Sequence, residues 1–232
     1  MTTIALGDLH CPFQSNKELG VAYKVIEDLQ PDKIILMGDL VDFYAISSFS
    51  RNPIRVLQLQ DELNAAKEIL GIIDSLSNAE IVYLMGNHED RLQRYLMLHP
   101  EIYNLDSLKL EYLLGLDELN IKIKTEVKEG DLIYTHGKYV SKHSAYSVKR
   151  ELEARAYQIS VLMGHTHRQG MFSITGYKNT VDGYEIGCLC KDQEYMTNPD
   201  WQRGFAVITD GFVELIKIRK NKTIFRGKLY KG

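Results

Sequence analysis

The chain has 232 residues, 44% of them hydrophobic and 25% charged, and carries a net charge of −3. That length can bury the core of one α/β or all-β domain, and no apolar run approaches the roughly 18 residues needed to cross a bilayer, which argues against a membrane-spanning protein. Three cysteines (Cys11, Cys188, Cys190) without a Cys-x-x-Cys pair argue against a disulfide framework, and the charge balance does not advertise a general nucleic-acid binder, although bound cations would make a site locally positive.

The first half alternates strand-like and helix-like segments. Residues 2–6 read as a strand that runs directly into Asp8, leaving no room for a signal peptide, so the chain is expected to stay in the cytoplasm. An amphipathic helix follows near 16–29, capped by Ser15 or Asn16 and ended at Gln30-Pro31, because the residue before proline avoids helical geometry. Next come a strand at 33–37, a helix near 55–76, a strand at 80–85 and a helix near 89–98. In the second helix Leu59, Leu63, Ala66, Leu70 and Ile73 recur at three- and four-residue spacings, which marks one buried face. The Leu-rich stretch 103–119 reads either as part of a small cap over a site, spanning about 99–118, or as a peripheral helix completing the core. From residue 121 onward the pattern is strand-rich: 121–127, 131–135, 159–163, 171–176, 180–187, 204–209, 212–218 and 222–226, with one helix near 144–157. Asp210-Gly211 between two apolar runs signals a hairpin. Cys188-Leu189-Cys190 is read as alternate side chains of one strand rather than half of a zinc site, and Cys11 as a small loop filler. The whole chain, 1–232, is expected to form a single α/β domain with two sheets packed face to face and helices outside.

Five of the seven histidines fall in short motifs that each follow a strand-like apolar run. These are Gly7-Asp8-Leu9-His10, Gly38-Asp39-Leu40-Val41-Asp42, Gly86-Asn87-His88-Glu89, His136-Gly137 and Gly164-His165-Thr166-His167. Continuous apolar runs are the mark of buried parallel strands, and ligands in open α/β sheets gather beyond the carboxyl ends of such strands. All candidate ligands are therefore expected on one rim. Asp8 and His10, two apart, would point the same way if extended and could grip one cation. Asp39, with two carboxylate oxygens, could hold two ions at the roughly 3.5–4 Å separation of two-metal hydrolases. Asn87 offers a neutral oxygen, and His136, His165 and His167 offer nitrogens that suit borderline divalent ions: manganese first, with iron, zinc, nickel or cobalt as alternatives.

In this order the motifs resemble the calcineurin-like metallophosphoesterase superfamily over residues 4 to about 170, and the short chain is similar to small phosphoesterases of bacteriophage genomes. The resemblance implies a four-layered αββα sandwich and two divalent transition-metal ions, one held by Asp8, His10, Asp39 and His167, the other by Asp39, Asn87, His136 and His165. It makes His88 the non-ligand histidine over the substrate, oriented by Asp42, with Glu89 as a supporting residue. The implied reaction is in-line attack on phosphorus by a hydroxide shared between the ions, with His88 protonating the leaving oxygen or stabilising developing charge.

Serine/threonine phosphatases of this superfamily carry an arginine directly after the final aspartate of the second motif. Here that residue is Phe43, which favours a less charged diester over a phosphoprotein. Arg51, Arg55, Arg91, Arg94 and Arg168 are the replacement candidates, Arg168 because it follows His167; the others read as solvated. His143 is a further candidate for reaching substrate. Between His136 and Lys178 stand Lys138, Lys142, Lys149, Arg150, Arg155, Arg168 and Lys178 against Glu151 and Glu153, an excess that could steer a polyanion, while Tyr139 could stack on a base. The leading expectation is a phosphodiesterase, followed by a DNA or RNA nuclease or a phosphomonoesterase; a non-catalytic scaffold comes last because no ligand has been lost. The partner is the phosphate-ester substrate, whether small molecule or nucleic acid, with no membrane and no obligate protein partner, and no pattern specifies an oligomer.

Overall fold

The computed structural model describes residues 1–49, 52, 58–177, 179–193 and 199–232. In chain order the first half forms β1 (Thr2–Leu6), α1 (Asn16–Leu29), β2 (Lys33–Leu36), α2 (Leu59–Leu76), β3 (Glu80–Leu84), α3 (Glu89–Met97), α4 (Leu110–Leu114) and β4 (Lys122–Lys124). The second half forms β5 (Glu126–Glu129), β6 (Leu132–Thr135), α5 (Tyr146–Ala154), β7 (Ser160–Met163), β8 (Gln169–Thr175), β9 (Thr180–Ile186), β10 (Gly204–Thr209), β11 (Phe212–Lys217), β12 (Lys222–Phe225) and β13 (Lys228–Lys231).

The strands make a six-stranded sheet in the order β11-β10-β1-β2-β3-β4, a five-stranded sheet in the order β5-β6-β7-β9-β8, and a β12-β13 hairpin. Strands β1 to β4 run parallel, and β10 closes antiparallel on β1. In the second sheet β6, β7 and β9 are parallel. Alternation sorts the side chains of each strand between two cores. From the first sheet Ala5, Ile35, Met37, Val82 and Leu84 face Leu132, Tyr134, Leu162 and Ile186 of the second, forming the layer between the sheets. Ile4, Leu6, Ile34, Leu36, Ile81 and Tyr83 turn outward onto α1, α2 and α4. Val161, Met163 and Val181 pack on α5 through Val148 and Leu152. This is the αββα sandwich that the sequence implies.

Several boundaries differ from the sequence reading. The first residues expected in α2, 55–57, lie outside the described residues, as do Arg51, Arg55 and Lys178. The run 121–127 is two strands, because the chain leaves the first sheet after Lys124 and enters the second at Glu126. The stretch 103–119 packs as a peripheral helix: Leu110, Leu114 and Leu116 are buried in the same core as Leu63, Ala66 and Leu70 of α2, which places α4 against α2. Cys188 and Cys190 do not share a strand. β9 ends at Ile186, Gly187 takes φ +85, and the two buried cysteines make isolated bridges to Arg203 and Gln14. Asp210 and Gly211, with φ 49 and 86, form the two-residue turn expected between β10 and β11. No helix among the described residues is long and apolar enough to cross a membrane.

Candidate metal centre

Strands β1, β2, β3, β6 and β7 each end within three residues of a candidate ligand, so both sheets deliver side chains to one rim. The turns beyond them are not extended. Asp8, His10, Asp39, His165 and His167 all have φ between 50 and 67. Left-handed backbone is uncommon for residues other than glycine and clusters at functional sites. The convergence of Asp8 and His10 therefore comes from a folded turn, not from the alternation of a strand.

Asp39 is the hub. Its Oδ1 accepts the His88 backbone N–H at 2.9 Å. Its Oδ2 lies 3.6 Å from His10 Nε2, 3.4 Å from His136 Nε2 and 3.9 Å from His88 Nε2. Only one carboxylate oxygen thus faces the cluster, where the sequence reading assigned both oxygens to the ions; the other is used to shape the Asn87-His88 turn. On one side His10 Nε2 sits 3.0 Å from His167 Nε2, which is 3.4 Å from Asp8 Oδ1. On the other, His136 Nε2 lies 3.0 Å from Asn87 Oδ1, with the His165 ring 5.0 Å from that of His136. Donor atoms bound to one ion at about 2.1 Å sit roughly 3–3.4 Å apart, and among the described residues His10, Asp39 and His88, and again Asp39, His136 and His165, bring donor atoms within 4.8 Å of one another, close enough to hold a metal ion.

The nitrogens facing away from the cluster are fixed by hydrogen bonds, which sets the ligating nitrogen inward. The Met37 carbonyl holds His136 Nδ1 at 2.8 Å, and Asp42 Oδ2 holds His10 Nδ1 at 3.2 Å. Asp42 meets His88 differently from the expectation. The Asp42 backbone carbonyl takes His88 Nδ1 at 2.8 Å, while the carboxylate, 3.7 Å from that nitrogen, serves His10 and Arg91.

Behind the ligands Glu89, 1% exposed, accepts the backbone N–H groups of Asp39, Leu40 and Gly86 at 2.9 Å, that of Val41 at 3.2 Å and the Tyr83 hydroxyl at 2.6 Å. One carboxylate thereby braces the second and third motifs together. Gly86 has no alternative here, because a Cβ would stand 2.2 Å from Asp39 Oδ1 and 2.4 Å from Asp39 N. Glu185 plays a comparable part in the second sheet, accepting the Thr166 hydroxyl and the N–H groups of Ser147 and Val148, each at 3.1 Å.

Electrostatics show a cluster built for cations. Burial, with Asp39 adding to it, pushes the Asp8 carboxyl up to about 7. Burial opposes protonation of His136, but the Asp39 and Asp8 carboxylates and the Met37 carbonyl together outweigh it and hold the imidazole at about 10. Burial and the His136 charge bring His165 down to about 4.

Two clefts meet at the centre, both lined by Asn87 and His165. The smaller, about 210 Å³, runs past His10, His88 and His167 to Val140, Asp200 and Trp201. The larger, about 600 Å³, runs past His136 to Arg94, Lys138, Thr125 and Arg155. Arg168 lines the smaller cleft, but its guanidinium is tied to the Lys142 carbonyl at 3.2 Å, to Asp200 at 3.0 Å and to the Ser141 carbonyl. It joins two loops across the mouth. His143 is exposed, its ring 5.9 Å from Tyr146, and lines neither cleft. Of the basic stretch, Lys149 pairs with Glu153 at 3.5 Å and Arg155 with Glu126 at 2.9 Å, while Arg150 lies over the Tyr139 ring at 4.6 Å.

One residue escapes sequence reasoning, and one candidate sits elsewhere than expected. Trp201, the only tryptophan, packs edge-on to His167 with ring centroids 4.2 Å apart. Nothing in its surroundings along the chain marks it, since it reaches the site from a loop 34 positions after His167. Arg91, a replacement candidate expected on a solvated helix face, instead brings its Nη2 to 3.0 Å from His88 Nε2. Its spacing, three residues beyond the motif histidine on a helix, was the available signal.

Comparison with known proteins agrees with this architecture. The chain is 27% identical over 226 residues to the Gene 54 protein of Mycobacterium phage D29, covering 89% of this chain and 88% of that protein. The structure of Vacuolar Protein Sorting 29 from Cryptosporidium parvum superposes with a TM-score of 0.55 at 12% identity, covering 100% of this chain and 96% of that one. Vps29 from Entamoeba histolytica, solved in complex with zinc, gives 0.52 at 14% identity over 100% and 97%. The family model for calcineurin-like phosphoesterases matches residues 1–169, the segment that holds every candidate ligand, and the chain belongs to that family.

Proposed function

We propose that the protein hydrolyses a phosphodiester at a centre of two divalent ions. The observation that carries the reading is the meeting of two clefts at Asn87 and His165. A phosphate seated between them has room for a substituent on each side, which a monoester would leave half empty. The burial of Phe43 where protein phosphatases carry arginine points the same way.

Asp8, His10, Asp39 and His167 would hold one ion, and Asp39, Asn87, His136 and His165 the other, manganese being the first choice for this mixed oxygen and imidazole set. Such ions neutralise phosphate charge and acidify water. The chain supplies the rest. Glu89 keeps the second and third motifs in register, His88 presents Nε2 toward the ester from a ring fixed at Nδ1, and Trp201 and Val140 wall the smaller cleft against water. Arg94, Lys138 and Arg155 along the wider cleft favour, as a second reading, a nucleic-acid strand as the substituent. The phage relatives support the cytoplasm of a bacterial host as the compartment in which the protein works.

The deciding experiment supplies manganese to metal-stripped protein and compares a bis-aryl phosphodiester with the matching aryl monoester, with His88→Ala as control. Diester turnover lost in the control supports the reading. A monoester preference makes the protein a phosphatase, and no turnover of either substrate refutes both.

A further inference from the structure

Arg91 lines neither cleft but reaches the rim of the cluster through His88, whose ring lines the smaller one. Helix α3 begins beside His88, so a residue three positions on shares its face. His88 Nε2 points inward, 3.9 Å from the Asp39 oxygen at the centre of the cluster, and Arg91 Nη2 is 3.0 Å from that same nitrogen. The other guanidinium nitrogen, Nη1, donates to the Asp42 carbonyl at 2.9 Å and to Asp42 Oδ1 at 3.2 Å. A guanidinium can only donate. His88 Nε2 must therefore accept, and the ring proton sits on Nδ1, where the Asp42 carbonyl receives it at 2.8 Å.

The two ends of the guanidinium are held unequally. One is anchored on a buried carboxylate and carbonyl. The other rests on a histidine ring nitrogen at the rim of the metal cluster, a weaker acceptor than an anionic oxygen. The Arg91 side chain is 18% exposed, so water screens it little. Its anchor is Asp42, the residue immediately before Phe43, and it thus brings a cation to the part of the site where residue 43 supplies none.

We propose that Arg91 is the phosphate-binding cation of this site. When the ester arrives, Nη2 exchanges His88 Nε2 for a non-bridging phosphoryl oxygen while Nη1 stays on Asp42. His88 Nε2 loses its resting partner in the same movement and is left open to the ester. Substrate binding and release of the histidine are one event. The inference rests on the phosphoesterase reading for the identity of the ligand, and its test is separable from that reading.

The test measures orthophosphate binding to manganese-loaded wild type, Arg91→Lys, Arg91→Ala and His88→Ala by calorimetry, together with manganese affinity and thermal midpoint. Arg91→Ala is expected to weaken orthophosphate at least about tenfold, the size of one charge-assisted hydrogen bond, with manganese affinity held within about twofold. Arg91→Lys keeps the charge and should recover part of the loss, which also covers the case in which the alanine variant fails to fold. His88→Ala should bind orthophosphate at least as tightly as wild type, since Arg91 then has no resting partner to leave; a merely structural arginine would not produce this. Orthophosphate affinity unchanged in folded, loaded Arg91→Ala overturns the inference, as does a wild type that binds no orthophosphate. Arg91-dependent phosphate binding without turnover of any ester would leave the inference standing and remove the phosphoesterase reading.

Discussion

Replacing Glu89 by glutamine changes one oxygen of a buried side chain, yet the hydrogen bonds make it one of the most damaging conservative substitutions open to this protein. Oε1 accepts from Leu40, Val41 and the Tyr83 hydroxyl, and Oε2 from Asp39 and Gly86. An amide keeps a single acceptor oxygen. In the better of its two orientations the new NH2 group faces the N–H groups of Asp39 and Gly86, leaving both without a partner. Each buried orphan costs about 1–3 kcal/mol, and the three remaining bonds lose their charge. Opposing this, burial and the Asp39 carboxylate push the Glu89 carboxyl up, so a neutral side chain recovers some desolvation energy. Two orphaned donors outweigh that recovery, and the net loss is expected at about 3–4 kcal/mol, a large part of the roughly 5–15 kcal/mol that holds a domain together. The orphans flank the bridging aspartate and the Asn87 turn, so metal affinity should also fall about 10–100-fold. Urea unfolding of the chelator-treated variant gives the first number, and manganese titration of the folded variant gives the second. A stability change under about 1 kcal/mol would refute the argument, because it would mean that Glu89 is already neutral in the metal-free protein and shares its donors with water.

Other consequences are open to direct measurement. With Trp201 packed on His167, manganese added to stripped protein should quench the emission of the single tryptophan, and His167→Ala should abolish the response; quenching that survives in the variant would place the ion elsewhere. Metal uptake at pH 7 should release about one and a half protons, because His136 at about 10 gives up nearly one and Asp8 at about 7 about half of one, and affinity should rise with pH; calorimetry in two buffers of different ionisation enthalpy reads the release, and identical heats would contradict it. Burial pushes Glu62 up to about 7 although it accepts the N–H groups of Tyr44 and Ala45. A carboxyl raised in the folded state contributes stability that is fully present below about 4.5 and is lost as pH rises through about 7. Glu62 should therefore account for roughly 3 kcal/mol of the stability the chelated protein loses across that window, and Glu62→Gln should remove that share of the slope while Asp8 keeps its own. Gly86→Ala should prevent assembly of the third motif, since no rotation removes the overlap with Asp39; an alanine variant that binds manganese normally would show that the turn can shift.

The parts of the site that the sequence discloses are those tied to periodicity. The runs before Asp8, Asp39, Asn87 and His165 are continuous because their strands are buried on both faces, so their ends, and the rim where ligands gather, can be read directly. The conformation of the turn beyond each strand cannot. Nothing in Asp8-Leu9-His10 announces a left-handed turn, because aspartate and histidine enter that region only when surrounding contacts hold them there. The division of labour within Asp39 and Asp42 is hidden for a related reason: spacing shows that a carboxylate reaches the site, but not which of its oxygens is consumed by a neighbouring backbone N–H. The break at Thr125 and the strand β13 are hidden because short edge strands carry almost no apolar signal. Trp201 reaches the site from a distant loop, which no local pattern records, while Arg91 is marked only by its spacing of three residues from His88 on a helix.

Asp8, His10, Asp39 and Asn87 follow strands of one sheet, and His136, His165 and His167 follow strands of the other. Neither layer can assemble a coordination sphere alone. Any ion bound here fastens the two layers like a rivet at one end of their shared interface, and its binding energy adds to the cohesion of the apolar layer behind it. Slippage of one sheet against the other, by even the spacing of a single residue, would dismantle the chemistry before it exposed the core. Activity would then be a more sensitive gauge of how the two layers are seated than any probe of helix or strand content, and separated halves of the chain would have to dock before either could act.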